Sequence, residues 1–224
     1  MGSPQNTTRA DATAAWVSAG HYVTYVPADR SGEWVTVFEP EREIIALYGE
    51  DAAALSQAWL DQVLKEQIIR RVPGGMADRW EDSTEPVAGS DAYYAQMPRD
   101  PAQLINWILE YNGDFNLGAE ETGVATFLIQ ELEWNVAPAD LRVAMYRALS
   151  TLSNGVVVGT EGTVVTLAFP TYAPNDRWDE ISIDTDTALV TRTSVTFGSG
   201  GTIVPDTVPN SRSTPSLSIV DSAP

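Results

Sequence analysis

The side chains that could do acid–base chemistry in this chain are carboxylates. Its 224 residues include 31 acidic residues, one histidine and no cysteine. A glycosidase needs two carboxylates, one as the acid and one as the base or nucleophile. Four neighbouring pairs have the right residue types: Glu120/Glu121, Glu131/Glu133, Asp179/Glu180 and Asp184/Asp186. Such pairs arise by chance in so acidic a chain, so none is predicted to be catalytic.

The chain has few of the residues that histidine, thiol or metal chemistry requires. A Ser–His–Asp triad would have to use His21, and the chain has no G-x-S-x-G elbow to supply its nucleophile. One imidazole cannot form the usual set of two or three zinc-ligating histidines. Asp184-x-Asp186 resembles the start of a calcium loop but lacks the glycine and the distal glutamate, so a turn is predicted there. We predict no catalytic residue, no metal ligand and no cofactor.

Aromatic and apolar residues supply the binding candidates. Trp80 and Trp178 lie in acidic surroundings, RWED and DRWDE, where packing explains a large ring poorly, and they are predicted to contact a partner. A concave sheet face covered by helices could also hold an apolar ligand. Its predicted lining is Val23, Tyr25, Val35, Val37, Leu167 and Phe169. The same six residues would be ordinary core if that space were closed.

Net charge and hydropathy exclude several classes of partner. The formal net charge is −18, with 13 basic residues. Nucleic acid and anionic membrane surfaces require clusters of lysine and arginine, so both are excluded as partners. No stretch approaches the roughly 20 apolar residues of a membrane-spanning helix, so this chain is not expected to insert into a membrane. We predict a monomer that binds an apolar ligand or a protein.

Periodicity predicts strands in the N-terminal part of the chain. Alternating, β-branched runs at His21–Val26 and Glu33–Phe38 flank the turn Asp29–Gly32, which predicts an antiparallel hairpin. Glu43–Tyr48 is predicted as a third strand. Ala52–Val72 is predicted as strand–turn–strand, although part of it also fits a helical stripe.

Three helices are predicted in the middle of the chain, followed by more strands. Asp100 is a suitable N-cap with Pro101 at the first helical position, and an apolar stripe continues to Tyr111. The other helices are predicted at about Glu120–Trp134 and from Pro138 to the stop at Asn154-Gly155. The later strands are predicted at Val156–Val158, Thr163–Phe169, Glu180–Asp184 and Ala188–Phe197, with a tight turn over Asp184–Thr187.

This order predicts the α+β class: an antiparallel, half-barrel-like sheet with about three helices inserted between N-terminal and C-terminal strand groups. Residues 1–15 are predicted to be a disordered segment or an expression remnant. Residues 16–200 are predicted to form a single domain. Residues 201–224, rich in proline, serine and threonine, are predicted to be a disordered tail.

Three blocks resemble a family of uncharacterised actinobacterial membrane-anchored proteins. They are MPRDPAQLINWI, ADLRVAMYRALSTLSNGVVV and ISIDTDTALVTRTSVTF, which lie between about residues 95 and 197. The Asp100-Pro101 helix start and the Asp184–Thr187 turn before the last strand match the family pattern. Ser153-Asn154 before Gly155 departs from it, because the family usually has proline there.

The resemblance implies an extracytoplasmic domain, tethered to the cell membrane by a segment outside this chain and similar in architecture to half-barrel lipoprotein carriers. It implies no catalytic residues. We therefore expect a non-enzymatic domain that binds a lipid, a lipoprotein or a protein partner, with envelope sensing as a candidate role. The alternatives are a carboxylate-based hydrolase acting on glycans and a structural protein-interaction module. A carrier needs an apolar cavity of about 300 Å³ or more, and a hydrolase needs two carboxylates about 5–10 Å apart in a cleft.

Overall fold

Along the chain, one group of antiparallel strands precedes a helical segment and another follows it. This order confirms the predicted α+β class. The computed structural model describes residues 12–63, 66–76, 86–111, 120–171, 177–197, 203–205 and 207–224. The elements within these residues are β1 (Ala15–Tyr25), β2 (Glu33–Tyr48), α1 (Ala52–Leu60), β3 (Ile68–Pro73), α2 (Asp91–Ala95), α3 (Pro101–Tyr111), α4 (Glu120–Glu133), α5 (Ala139–Thr151), β4 (Val156–Glu161), β5 (Val164–Thr171), β6 (Arg177–Asp184), β7 (Leu189–Phe197) and β8 (Ser211–Ser213).

The strand groups form two separate sheets, and the chain divides into two compact units. The first unit holds the sheet β1–β2–β3 together with α1. The second unit comprises Asp91–Gly198 and Pro209–Val220, and holds the remaining helices and the sheet β4–β5–β6–β7–β8. The single α+β domain over residues 16–200 stays a prediction.

The predicted hairpin joins β1 to β2. Its turn is held by the Gly32 N–H, which donates to the Asp29 carbonyl at 2.9 Å, and by the Ser31 hydroxyl, which donates to the Asp29 carboxylate at 2.7 Å. The predicted third strand, Glu43–Tyr48, is the second half of β2 rather than a separate strand. The pairing register shifts between Ala19 and His21 of β1. Such an irregularity lets the partner strand β2 continue past Pro40.

The predicted strand at the start of Ala52–Val72 is wrong, because α1 occupies that position. The sequence AAALSQAWL contains four alanines and two leucines, and their helix propensity agrees with the helical stripe noted for part of this segment. Trp59 of this helix packs against Trp16 of β1, with ring centroids 5.8 Å apart. The second half of the segment forms β3, as predicted.

The helices of the second unit supply most of its core. The Gln103 N–H donates to the Asp100 carboxylate at 3.0 Å, so Asp100 caps α3 as predicted. One apolar cluster joins these helices to β5, β6 and β7. Its fully buried side chains include Tyr94, Met97, Leu104, Ile108, Leu128, Leu132, Leu141, Met145, Leu149, Phe169 and Ile181.

Pairing in the second sheet fixes which side chains face the helices. Because partners in a ladder share a face, Leu167 and Ile181 both face the helical layer, as do Phe169 and Asp179. The predicted turn after β6 is present. The Asp184 carboxylate accepts hydrogen bonds from the Asp186 N–H and the Thr187 hydroxyl, and these bonds hold the pKa of Asp184 below its usual range.

Part of the tail completes the second sheet. Ser211–Ser213 lie within the segment predicted to be disordered, and they form β8 antiparallel to β7. The open edge of β7 supplies backbone partners that sequence composition cannot reveal. This short strand matters for the site described next, because it forms one side of it.

Candidate binding site

The six residues predicted to line an apolar cavity lie in two different sheets. In the first unit, Val23 pairs with Val37 and Tyr25 pairs with Val35, so these four share one face of the β1–β2 ladder. Val35 and Val37 are buried. The apolar-ligand role of this group stays a prediction.

The other two predicted lining residues, Leu167 and Phe169, lie on β5 in the second unit. Phe169 is fully buried within the helix–sheet core, and Leu167 packs against the same cluster. A Cβ added at Gly155 would lie 2.8 Å from the Phe169 ring, so the space around this ring is filled by protein. The structure thus brings together Val23, Tyr25, Val35 and Val37 in one ladder and places Leu167 and Phe169 in another.

The two predicted partner-binding tryptophans differ in what the structure describes. Trp80 lies outside the described residues. Trp178 lies within strand β6 rather than in a loop, and 41% of its surface is exposed. Alternation along the strand places it on the face opposite Asp179. A partner contact at this ring stays a prediction.

A polar cleft of about 250 Å³ lies in the second unit, between α4 and strands β6, β7 and β8. Helix α4 contributes residues at helical spacing, so they share one face of the helix. The sheet contributes Asp179 of β6, its pairing partner Val195 of β7, and Ser211 of β8, which pairs with Val195. The cleft is lined by Thr126, Ile129, Gln130, Glu133, Arg177, Asp179, Thr193, Ser194, Val195, Ser211, Arg212 and Ser213.

A buried ion pair lies on the sheet side of this cleft. Arg177 Nε and Nη2 donate to the Asp179 carboxylate at 2.8–3.0 Å in a bidentate arrangement. The side chain of Asp179 is 3% exposed and that of Arg177 is 24% exposed. Thr126 of α4 also donates to Asp179, at 3.2 Å, and Arg177 lies over the Phe197 ring at 5.5 Å. These contacts tie the helix to the sheet and compensate both charges.

Several other polar side chains of the cleft have no such partner. Within the part of the chain that the structure describes, no hydrogen bond or ion pair engages the side chains of Gln130, Glu133, Thr193, Ser211 and Ser213. Arg177 Nη1 likewise has no partner among the described residues. The cleft therefore presents both donors and acceptors to whatever occupies it.

The carboxylate pair Glu131/Glu133 is split between two environments. Glu131 accepts a hydrogen bond from the Tyr93 hydroxyl at 2.8 Å. Burial raises the pKa of Glu131, and the tyrosine hydrogen bond lowers it by a smaller amount. Burial and the neighbouring Glu131 also raise the pKa of Tyr93. Glu133 instead lines the cleft, so the two carboxylates do not act on the same space.

The pairs Asp179/Glu180 and Asp184/Asp186 do not form an acid–base arrangement either. Asp179 and Glu180 are consecutive on β6 and point to opposite faces, and Glu180 accepts a hydrogen bond from Ser194 at 2.9 Å. Asp184/Asp186 belong to the turn after β6. The side chain of Glu120 lies outside the described residues.

Sequence reasoning missed most of the cleft. Arg177 and Asp179 are two residues apart, the spacing that places both on one strand face, but the strand was predicted to begin only at Glu180. Thr126, Gln130 and Glu133 recur on α4 at helical spacing beside the apolar stripe. A polar stripe of this kind is usually a solvated helix surface. It predicts a binding site only when a strand edge is known to face it.

Comparison with known proteins places this chain in no established group. No family model matches it, and no curated protein or solved structure is significantly similar to it. Among the described residues, no group of three or more histidine, aspartate or glutamate side chains could hold a metal ion. None of the helices described has both the length and the apolar character needed to cross a membrane.

Proposed function

We propose that this chain is a non-enzymatic binding domain whose second unit holds a small polar ligand in the cleft between α4 and β6–β8. One observation carries the proposal: donors and acceptors that have no partner among the described residues surround a compensated, buried ion pair in a concave site. A binding site needs such rigidly placed polar groups to orient its ligand. The Thr126–Asp179 hydrogen bond joins α4 to the sheet, and Arg177 provides rigidity by holding the Asp179 carboxylate in place for it.

The same geometry favours a polar ligand over a lipid. An apolar chain in this cleft would remove water from Gln130, Glu133 and Thr193 without replacing its hydrogen bonds, which costs free energy. Phe169, Val35 and Val37 are buried, so they offer little exposed surface to an acyl chain. The extracytoplasmic location and the membrane tether are part of this proposal, and the sequence resemblance is their support.

Glycan hydrolysis is the second candidate, because the carboxylates of Glu133 and Asp179 line the same cleft. Both oxygens of Asp179 already accept hydrogen bonds from Arg177, and one also accepts from Thr126. This carboxylate is therefore poorly placed to attack a sugar or to donate a proton. We expect no hydrolysis of 4-nitrophenyl glycosides. Turnover that disappears in Glu133→Gln would replace the binding proposal with an enzymatic one.

The test of binding uses four small probes that differ in charge: myo-inositol, gluconate, choline and glycine. Each is titrated into the full ¹⁵N-labelled chain while backbone amide shifts are followed by NMR. We expect at least one probe to bind with a dissociation constant of about 1 mM or tighter and to shift amides of α4, β7 and β8. Gln130→Leu should weaken this binding. Gln103→Leu, an exposed change on α3, is the matched control and should not.

The proposal is overturned if none of the four probes gives a saturable amide shift. It is also overturned if the saturable shifts fall outside the cleft. Equal affinities in Gln130→Leu and Gln103→Leu would also remove the cleft as the binding site.

A further inference from the structure

We infer that the ligand of the cleft is a neutral polyol of about the size of one sugar ring. This inference rests on the proposed function and concerns the same site. It follows from three properties of the cleft residues: their balance of charge, their hydrogen-bonding groups and the space that they enclose.

Charge balance disfavours an ion. Three charged side chains face the cleft: Glu133, Asp179 and Arg177. Arg212 pairs with Ser194, so its side chain lies on the opposite face of the sheet. Asp179 already neutralises Arg177 at 2.8 Å, so this guanidinium has no full charge to offer an anion. An anion would also enter the field of a chain with net charge −18. A cation would have to be held by Glu133 alone, beside the guanidinium of Arg177.

The hydrogen-bonding groups match hydroxyls. Thr193, Ser211 and Ser213 carry hydroxyls that both donate and accept, Gln130 carries an amide, and Arg177 Nη1 donates. A ligand hydroxyl also donates and accepts, so a polyol can satisfy such a mixed set without bringing a charge. Ile129 and Val195 add apolar surface to the same cleft, which suits the C–H face of a ring.

The volume limits the ligand to one small ring. The cleft encloses about 250 Å³, equivalent to roughly eight water molecules at ~30 Å³ each. This space suits a cyclic polyol or a monosaccharide and excludes an extended oligosaccharide from full enclosure. Sugar units beyond the first would have to extend past β8 into solvent.

The test compares myo-inositol with gluconate and choline by isothermal titration calorimetry on the full chain. We expect myo-inositol to bind at least about tenfold more tightly than either ion. Thr193→Val, which removes one hydroxyl at nearly constant volume, should weaken myo-inositol binding about fivefold, as expected for the loss of one hydrogen bond. Thr193→Ser should restore it. Thr196→Val, on the same strand but the opposite face, is the matched control and should leave the affinity unchanged.

The outcomes separate this inference from the binding proposal. Tighter binding of gluconate or choline, with shifted amides in the cleft, would refute the polyol assignment and leave the binding function intact. Equal weakening by Thr193→Val and Thr196→Val would also refute it. If no probe of any charge binds at the cleft, both proposals fail.

Discussion

Arg177 and Asp179 hold two opposite charges in a place where little water can solvate them. Removing one partner of such a pair leaves the other charge buried without compensation, whereas an intact pair contributes little net stability. The pair therefore acts by keeping the helix side and the sheet side of the cleft in fixed positions.

We predict that Asp179→Asn destabilises the fold. Removal of one partner of a buried ion pair costs 3–5 kcal/mol, and a guanidinium that is about a quarter exposed should place the loss near the lower end, roughly 3 kcal/mol. Urea denaturation of the variant and the parent measures this difference. Asp186→Asn, in the exposed turn after β6, is the control and should change stability by less than about 0.5 kcal/mol. Equal effects of the two substitutions would contradict a structural role for the pair.

The raised pKa of Glu131 predicts that the stability of the fold depends on pH, and its neighbour Tyr93 modulates this dependence. Burial raises the pKa of Glu131 above the ordinary value of 4.5, so the folded state binds its proton more tightly than the unfolded state does. The stabilisation is complete below about pH 4.5 and is lost as the pH rises through the folded-state pKa. Glu131→Gln cannot ionise, and its amide oxygen can still accept from Tyr93.

We therefore expect Glu131→Gln to be more stable than the parent at pH 7 and to lose this advantage as the pH falls towards 4.5. Urea unfolding at several pH values measures the difference. Tyr93→Phe removes the hydrogen bond that favours the ionised carboxylate, so it should cost more stability at pH 7 than at pH 4.5. A constant difference between Glu131→Gln and the parent across this range would show that Glu131 is not buried as described.

At the scale of elements, the connection from α5 to β4 depends on the absence of a side chain. Gly155 lies between these elements, and Phe169 of β5 fills the space that its Cβ would need. The contact lets the strand hairpin pack closely against the helical layer. The glycine is required here for close approach rather than for an unusual backbone angle.

We predict that Gly155→Ala destabilises the protein by about 1–3 kcal/mol, because the Phe169 ring must move within a packed core. Gly159→Ala, in the adjacent strand β4, is the control. A Cβ at that position would have its nearest neighbour, Thr166, at 4.0 Å. Thermal unfolding followed by circular dichroism should show a lowered Tm for the first variant alone. A similar Tm for both would mean that the ring relaxes without cost.

At the scale of the whole molecule, the chain leaves the second unit and returns to it. Pro209–Val220 belong to this unit, whereas Ser199–Val208 belong to the first. The second sheet is therefore completed only after the chain has contributed to the first unit, and the chain crosses between the two units four times. From this connectivity we expect the two units to unfold together.

We expect a single calorimetric transition, with the van't Hoff enthalpy equal to the calorimetric enthalpy. Differential scanning calorimetry of the full chain measures both enthalpies. Two resolved transitions would show that the units unfold independently. In that case Asp179→Asn should lower only one of them, which would identify the transition of the second unit.

Local sequence patterns determined the α+β class, the first hairpin, the capped start of α3 and the turn after β6. Each depends on neighbours in the chain: alternation, Asp100 before Pro101, or the Asx geometry of Asp184. Local propensity also explains the failure at α1, where the helical stripe was the correct signal and the strand prediction was wrong. The charge of −18 likewise follows from composition alone, and the exclusion of nucleic acid and anionic membrane surfaces stays a prediction.

Tertiary structure decided the division into two sheets, the capture of Ser211–Ser213 by β7 and the cleft itself. Strand pairing joins residues that are far apart in the chain, so composition could not show that a serine-rich tail would find an open edge. Asp179 is 53 residues from Thr126, and Ser211 is farther still. The identity of one residue does not predict such a long-range contact. The packing of α4 on the sheet, rather than the local chain, determines which residues are buried and which residues they contact.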